Sequence, residues 1–155
     1  MVNAQVIQQL ENNMDIQWYE SRQVKIGTKV KVYFNLHKHL FSIVAMEGEY
    51  KGKVVGHANA VFIAHPQFVV NKSGRERVLR ERRKNVHAFV VGQLAGGYGQ
   101  EQADRLEKTV EQINLGAWVT YNPYEKDYFY YKNSGERIDK AQGAILVNKK
   151  VRVFG

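Results

Sequence analysis

Cysteine is absent from the 155-residue chain. Disulfide scaffolds, thiolate zinc sites, iron–sulfur clusters and thiol nucleophiles are excluded with it, and the composition fits an intracellular protein. Long apolar runs are missing too: stretches such as residues 60–64 fall far short of the roughly 18 residues that suggest a membrane span. The start MVNAQVIQQLENN is too polar for a secretory signal, so a soluble, cytoplasmic protein without membrane contact is expected. Acidic residues are the minority, 15 against 23 lysines and arginines, which leaves a net charge of +8. Such an excess favours phosphate-bearing or otherwise acidic partners.

What is present describes an ordinary globular chain, with 44% hydrophobic and 25% charged residues and a length that allows one domain or two small lobes. Ile7, Leu10 and Met14 recur at helical spacing behind Asn3 as a candidate N-cap, which predicts a short amphipathic helix over 3–14. After Gly27, Val30, Val32 and Phe34 alternate with Lys29, Lys31 and Tyr33, a strand with one apolar and one basic face. Further strands are predicted at 40–46, 53–57, 60–64 and 67–70, divided by Gly48, Gly52 and Pro66. KSGRERVLRERRK at 72–84 is charged and helix-compatible, and VHAFVVG returns to strand chemistry. Four glycines in GQLAGGYG at 92–99 predict a hinge between lobes. Beyond it Ala103, Leu106, Val110 and Ile113 share one helical face, with Glu101–Arg105 and Asp104–Lys108 as i,i+4 pairs and a stop near Gly116. Strands at 117–121, 128–131, 144–147 and 151–154 complete the chain.

The two halves share a grammar. GKVVGHANAVFIAHPQFVV at 52–70 aligns without a gap with GERIDKAQGAILVNKKVRV at 135–153, pairing Val55 with Ile138, Ala58 with Ala141, Phe62 with Ile145, Ile63 with Leu146, Phe68 with Val151 and Val70 with Val153. Upstream, VYFN at 32–35 falls beside VTYN at 119–122, and Phe41 opposite Phe129. The expectation is an α+β fold of two related small antiparallel β units, an internal duplication. The first unit with its N-terminal helix and basic segment spans 1–92, the hinge 93–99, and the central helix with the second unit 100–155.

The run GRERVLRERRKNVHAFVVG at 74–92, with NLHK at 35–38 and YNPY at 121–124, resembles a group of small uncharacterised proteins of bacteriophages and related mobile elements. The resemblance spans most of the chain through three short blocks. It implies a phage-encoded accessory protein and assigns no activity and no functional residues.

Chemistry concentrates in two places. The basic segment holds Lys72, Arg75, Arg77, Arg80, Arg82, Arg83 and Lys84 against Glu76 and Glu81, an excess of five in a chain whose total excess is eight. On a helix Arg77, Arg80 and Lys84 share a face able to grip successive phosphates, since the guanidinium fork matches phosphate oxygens; Asn85 and His87 sit beside it as hydrogen-bonding groups. The bland alternative is a solvated helix anchored by Val78 and Leu79, its arginines rimming a subunit contact. The second place is the aromatic group Tyr121, Tyr124, Tyr128, Phe129, Tyr130 and Tyr131, interleaved with Lys126 and Lys132. Aromatics beside cations can stack bases, although tyrosine also suits any half-buried strand.

Named motifs are lacking. His37, His39, His57, His65 and His87 form no complete ligand set, so no metal and no cofactor is expected. The glycine-rich tract is not closed by lysine and serine or threonine as a P-loop requires. Ser21, Ser42, Ser73 and Ser134 lie in no nucleophile elbow, and the aromatic signature of an RNA-recognition motif is missing. The leading expectation is a noncatalytic nucleic-acid binder, for RNA or DNA. Arg75, Arg77, Arg80, Arg82, Arg83, Lys84, Asn85 and His87 would meet phosphates, and Tyr121, Tyr124, Tyr128 and Tyr130 would stack. The competing expectation is a phage accessory or anti-defence protein that binds a host protein or sequesters a small nucleotide. A homo-oligomer paired through strand edges is a further one.

Overall fold

Period-two alternation builds the first long strand, β2 (Lys29–Asn35), in which Val30 and Val32 are buried and Lys29 is exposed, because successive side chains leave opposite faces of a pleated strand. The structure, a computed structural model, describes residues 15–155. The amphipathic helix expected at 3–14 lies outside the described residues. β1 (Gln17–Trp18) precedes β2; β3 (Leu40–Ala45), β4 (Val54–Ala58), β5 (Ala60–Val70), α1 (Lys72–Glu81) and β6 (Ala88–Tyr98) follow it. The chain continues through α2 (Gln100–Gln112), β7 (Ala117–Thr120), β8 (Tyr130–Tyr131), β9 (Gly143–Val147) and β10 (Lys150–Phe154).

All ten described strands join one sheet in the order β1-β4-β3-β2-β6-β5-β9-β10-β7-β8, and every pairing is antiparallel. This corrects the α+β expectation. The protein is mostly antiparallel β, with two helices among the described residues. The physical reason is the pairing of β5 with β9 from Ala60↔Val147 to Ala64↔Gly143, which satisfies the edges of both halves with one another.

The glycine tract is strand, not hinge. Residues 92–98 run within β6, paired with β5 from Ala60↔Tyr98 onward. Glycine is required here for close approach: a Cβ on Gly92 would lie 2.5 Å from Ile63 Cγ2 and 2.8 Å from the Ala64 carbonyl oxygen. A Cβ on Gly97 would lie 2.8 Å from Ile16 Cδ1. Glycine inside a strand marks such contacts as readily as a bend. Pro66, expected to divide two strands, sits instead within the single strand β5. His65, at φ 52°, and Pro66 form an irregularity where the register passes from Ala64↔Gln93 to Gln67↔Val91. A bulge is the place in a sheet where a missing N–H is tolerated.

The aligned segments 60–64 and 143–147 pair with each other, and the register places Phe62 opposite Ile145, the position equated with it by sequence. Downstream of 64 and 147 the two segments diverge. β5 runs on through Phe68 and Val70, whereas the second half turns at Asn148 and Lys149, both at positive φ, and returns as β10.

One face of the sheet buries Val30, Val32, Ile43, Val61, Ile63, Val90, Leu94, Phe129, Ile138 and Leu146 together. On the other face α2 packs Ala103, Leu106 and Val110 against Ala60, Phe62, Ile145 and Val147. The expected Ile113 is not part of that stripe: it ends the helix and is half exposed. Glu101 and Arg105 pair at 2.6 Å as expected. Asp104 does not pair with Lys108; it accepts from Gln100 and Asn148. Buried Arg152 of β10 donates to the Leu115 and Gly116 carbonyl oxygens and lies 4.7 Å from the Trp118 ring centroid, tying the exit of α2 to the sheet.

Candidate functional site

The first ten residues of the segment, 72–81, form a helix because its polar start supplies a cap: the Asn71 side chain accepts from the Gly74 N–H at 3.1 Å, an arrangement favoured at helix N-termini. Lys84, expected to share a helical face with Arg77 and Arg80, lies in the loop beyond the helix. The helix ends at Arg82, which takes a left-handed conformation at φ 54° and donates its N–H to the Val78 carbonyl oxygen. Val78 is buried and Leu79 half-buried, the two apolar anchors expected. The helix lies close on His87, since a Cβ on Gly74 would stand 2.6 Å from His87 Cβ.

The seven cations of this segment have different environments. Arg75 is half-buried and donates from Nε to the Pro123 carbonyl oxygen at 2.8 Å, so it fastens α1 to the loop after β7. Arg77 pairs with Glu81 at 3.0 Å, which reduces its availability to phosphate. Lys72, Arg80, Arg82, Arg83 and Lys84 are exposed and, among the described residues, none of their side chains has a carboxylate partner. Asn85 is exposed, while its carbonyl oxygen stands 2.7 Å from His87 Nδ1. His87 itself is buried, 7% exposed, so it supports the loop and does not line its surface.

His87 joins the two regions that the sequence kept apart. Its Nε2 stands 2.6 Å from the Tyr121 hydroxyl oxygen. The carbonyl at Nδ1 can only accept, so Nδ1 carries the proton in the neutral ring and Tyr121 O–H donates to Nε2. Tyr121 stacks on Phe129 at 5.3 Å and 28°. Burial pushes its hydroxyl up to about 12, with Asp127 adding to the shift and Arg75 opposing it. The four tyrosines offered as stacking groups therefore separate. Tyr121 is a buried-side support. Tyr130 is buried, donates to Glu125 at 2.8 Å and has its pKa raised by burial and by that carboxylate. Tyr124, 61% exposed, follows the Pro123 that holds Arg75. Tyr128 is half-buried between Lys126 at 5.4 Å and Arg137 at 5.0 Å. Arg137 escaped the sequence reading, because it reaches Tyr128 from beyond the turn at Gly135.

The surface that results is a basic helix and loop, residues 72–86, fastened through Arg75 and His87 to a loop that displays Tyr124. It can attract polyanions and offer a flat ring beside them. Two cavities of about 270 and 300 Å³ lie elsewhere, the first lined by Lys29, Glu47, His65, Gln67 and Gln93 and the second between Glu107, Glu111 and Lys150. Among the described residues no three His, Asp or Glu side chains gather to hold a metal ion, and no helix is long and apolar enough to cross a membrane.

No solved structure matches this chain. The Gene 82 protein of Mycobacterium phage L5 is 38% identical to it over 130 residues, which cover 80% of this chain and 94% of that protein. The family model described as Mycobacterium phage L5 gene 82 protein matches residues 23–154, a span that contains all three blocks behind the phage resemblance. The chain belongs to the phage family of the Mycobacterium phage L5 gene 82 protein.

Proposed function

We propose that the protein is a noncatalytic nucleic-acid binder of the cytoplasm that grips the phosphate backbone with α1 and the loop after it. The observation that carries this reading is the clustering of Arg80, Arg82, Arg83 and Lys84, all exposed and without carboxylate partners among the described residues. A rim of surface salt bridges would pair such charges; among the described residues, Arg77 alone of the segment's cations is so paired. Counterion release from the nucleic acid then supplies sequence-independent affinity. Tyr124 beside Arg75 adds a ring at the border of this surface.

The same reading takes the two halves as products of an internal duplication. It is supported by the pairing of Phe62 with Ile145, equivalent positions in the sequence alignment, across the junction of the halves.

The test is fluorescence-anisotropy titration with labelled single-stranded RNA, single-stranded DNA and duplex DNA over a salt series, with light scattering on the same sample to count subunits. Submicromolar binding that weakens steeply with salt is the expected result. Absence of binding to every polymer at low salt would overturn it and turn attention to an accessory protein that engages a host protein or a small nucleotide.

A further inference from the structure

The face of the sheet opposite the main core carries a second set of aromatics and cations. Lys29, Lys31 and Tyr33 of β2 point away from Val30 and Val32, which belong to that core. On the neighbouring strand β6, Phe89 and Val91 share this face, since Val90 lies in the core between them. β5 adds Val69, opposite Phe89 in the register and 41% exposed. α2 covers only the far part of the face, over Ala60, Phe62, Ile145 and Val147.

The rings are adjacent. Tyr33 and Phe89 meet edge to face with centroids 5.9 Å apart, and Lys31 Nζ stands 4.6 Å from the Phe89 centroid. Both rings are half-buried: their edges are fixed by the sheet while part of their surface meets solvent. A stripe of Val69, Phe89 and Tyr33 thus crosses three neighbouring strands, about 5 Å apart at each step. The basic loop leads into it. Five residues separate Lys84 from Phe89, so their Cα atoms lie at most about 18 Å apart.

Resting on the nucleic-acid reading above, we propose that this stripe is the base-stacking platform of a single-stranded nucleic acid whose phosphates are held by Arg80, Arg82, Arg83 and Lys84. A ligand that is both polyanionic and rich in flat apolar rings is what this mixture of cations and aromatics complements. In a single strand the bases are free to leave one another and lie on protein rings. In a duplex they are stacked on each other, and only the phosphates are offered. Lys31 is suited to the exchange: its long flexible stem lets the ammonium leave the Phe89 ring for a phosphate while a base takes its place. The duller account is that Tyr33 and Phe89 are only a cross-strand aromatic pair that steadies the sheet.

The experiment uses the full chain, single-stranded DNA and RNA oligonucleotides containing 2-aminopurine, and a duplex of the same sequence. Binding is read by anisotropy and stacking by quenching of the 2-aminopurine. The expected result is tighter binding of single strands than of duplex, with quenching. Phe89→Leu and Tyr33→Leu should each weaken single-strand binding about tenfold and remove quenching, at an unchanged salt slope. Phe89→Tyr and Tyr33→Phe, which keep the rings, should retain both. Arg80→Gln with Lys84→Gln should lower the salt slope and leave residual quenching. Quenching and affinity that survive both leucine variants would overturn the platform while leaving the phosphate reading intact, as would a preference for duplex. No binding of any polymer by the unaltered protein would remove both.

Discussion

His87 Nε2 and the Tyr121 hydroxyl lie 2.6 Å apart although 34 residues separate them in the chain, and this bond locks the exit of the basic segment to the start of the loop that carries Tyr124. Arg75, on the Pro123 carbonyl oxygen at 2.8 Å, makes the second tie. Two weakly diagnostic stretches of sequence become one surface through these contacts.

The first prediction concerns that bond. Tyr121→Phe keeps the ring on Phe129 and leaves His87 Nε2 without its donor, so unfolding free energy should fall by about 1 kcal/mol, the usual net worth of a hydrogen bond. A double-mutant cycle with His87→Ala, followed by urea denaturation, should give a coupling of at least about 0.5 kcal/mol. Additive losses would show that the two side chains do not cooperate.

A second follows from the acid–base chemistry of Tyr121. Its folded-state pKa is raised from 10.0 to about 12, chiefly by burial, so the folded protein holds the neutral hydroxyl more strongly than the unfolded chain does. The contribution to stability is whole below pH 10 and is lost as pH rises from there through about 12. Denaturation midpoints measured across that window should fall, and Tyr121→Phe should flatten the fall. An identical decline in the variant would assign it to other groups.

Short-range pattern made most strands legible. Alternation located β2, and apolar runs between turn residues located β3, β4, β7, β9 and β10 to within a residue or two of their ends. What escaped was what strands do at long range. Gly92 and Gly97 read as a hinge because local sequence shows only conformational freedom, whereas the contacts with Ile63 and Ile16 exist only after β6 has met its neighbours. Pro66 read as a break for the same reason. At the candidate site, the sequence showed the charge excess but not that Glu81 pairs with Arg77, nor that Tyr121 and Tyr130 turn inward while Tyr124 remains outside. The facing of Phe89 is not legible inside VHAFVVG, because it is fixed by pairing with Val69.

A third prediction separates hinge from packed strand. Gly92→Ala would set a methyl group 2.5 Å from Ile63 Cγ2 and 2.8 Å from a backbone carbonyl oxygen, and backbone cannot yield as the end of a long side chain can. Overpacking of this kind costs about 1–3 kcal/mol, to be read as a lowered midpoint in urea. At a hinge the same substitution would instead be neutral or stabilising, since it reduces the freedom of the unfolded chain.

The fourth prediction uses charge to test the proposed phosphate contacts of α1 and its loop. Arg80, Arg83 and Lys84 are exposed and without carboxylate partners among the described residues, so replacing all three by glutamine should spare the core and lower affinity for nucleic acid. Each phosphate contact contributes about 0.7 to the slope of log affinity against log salt for a single strand, so the slope should become shallower by about 2. Arg77→Gln should change it less, because Glu81 already holds that guanidinium at 3.0 Å. Arg75→Gln should act differently again: its group is committed to Pro123, so the loss should appear in stability before it appears in the slope. Anisotropy at a series of salt concentrations, paired with urea denaturation of each variant, reads both quantities. An equal effect of Arg77 and Arg80 would mean that net charge alone, and not this arrangement of partners, governs binding.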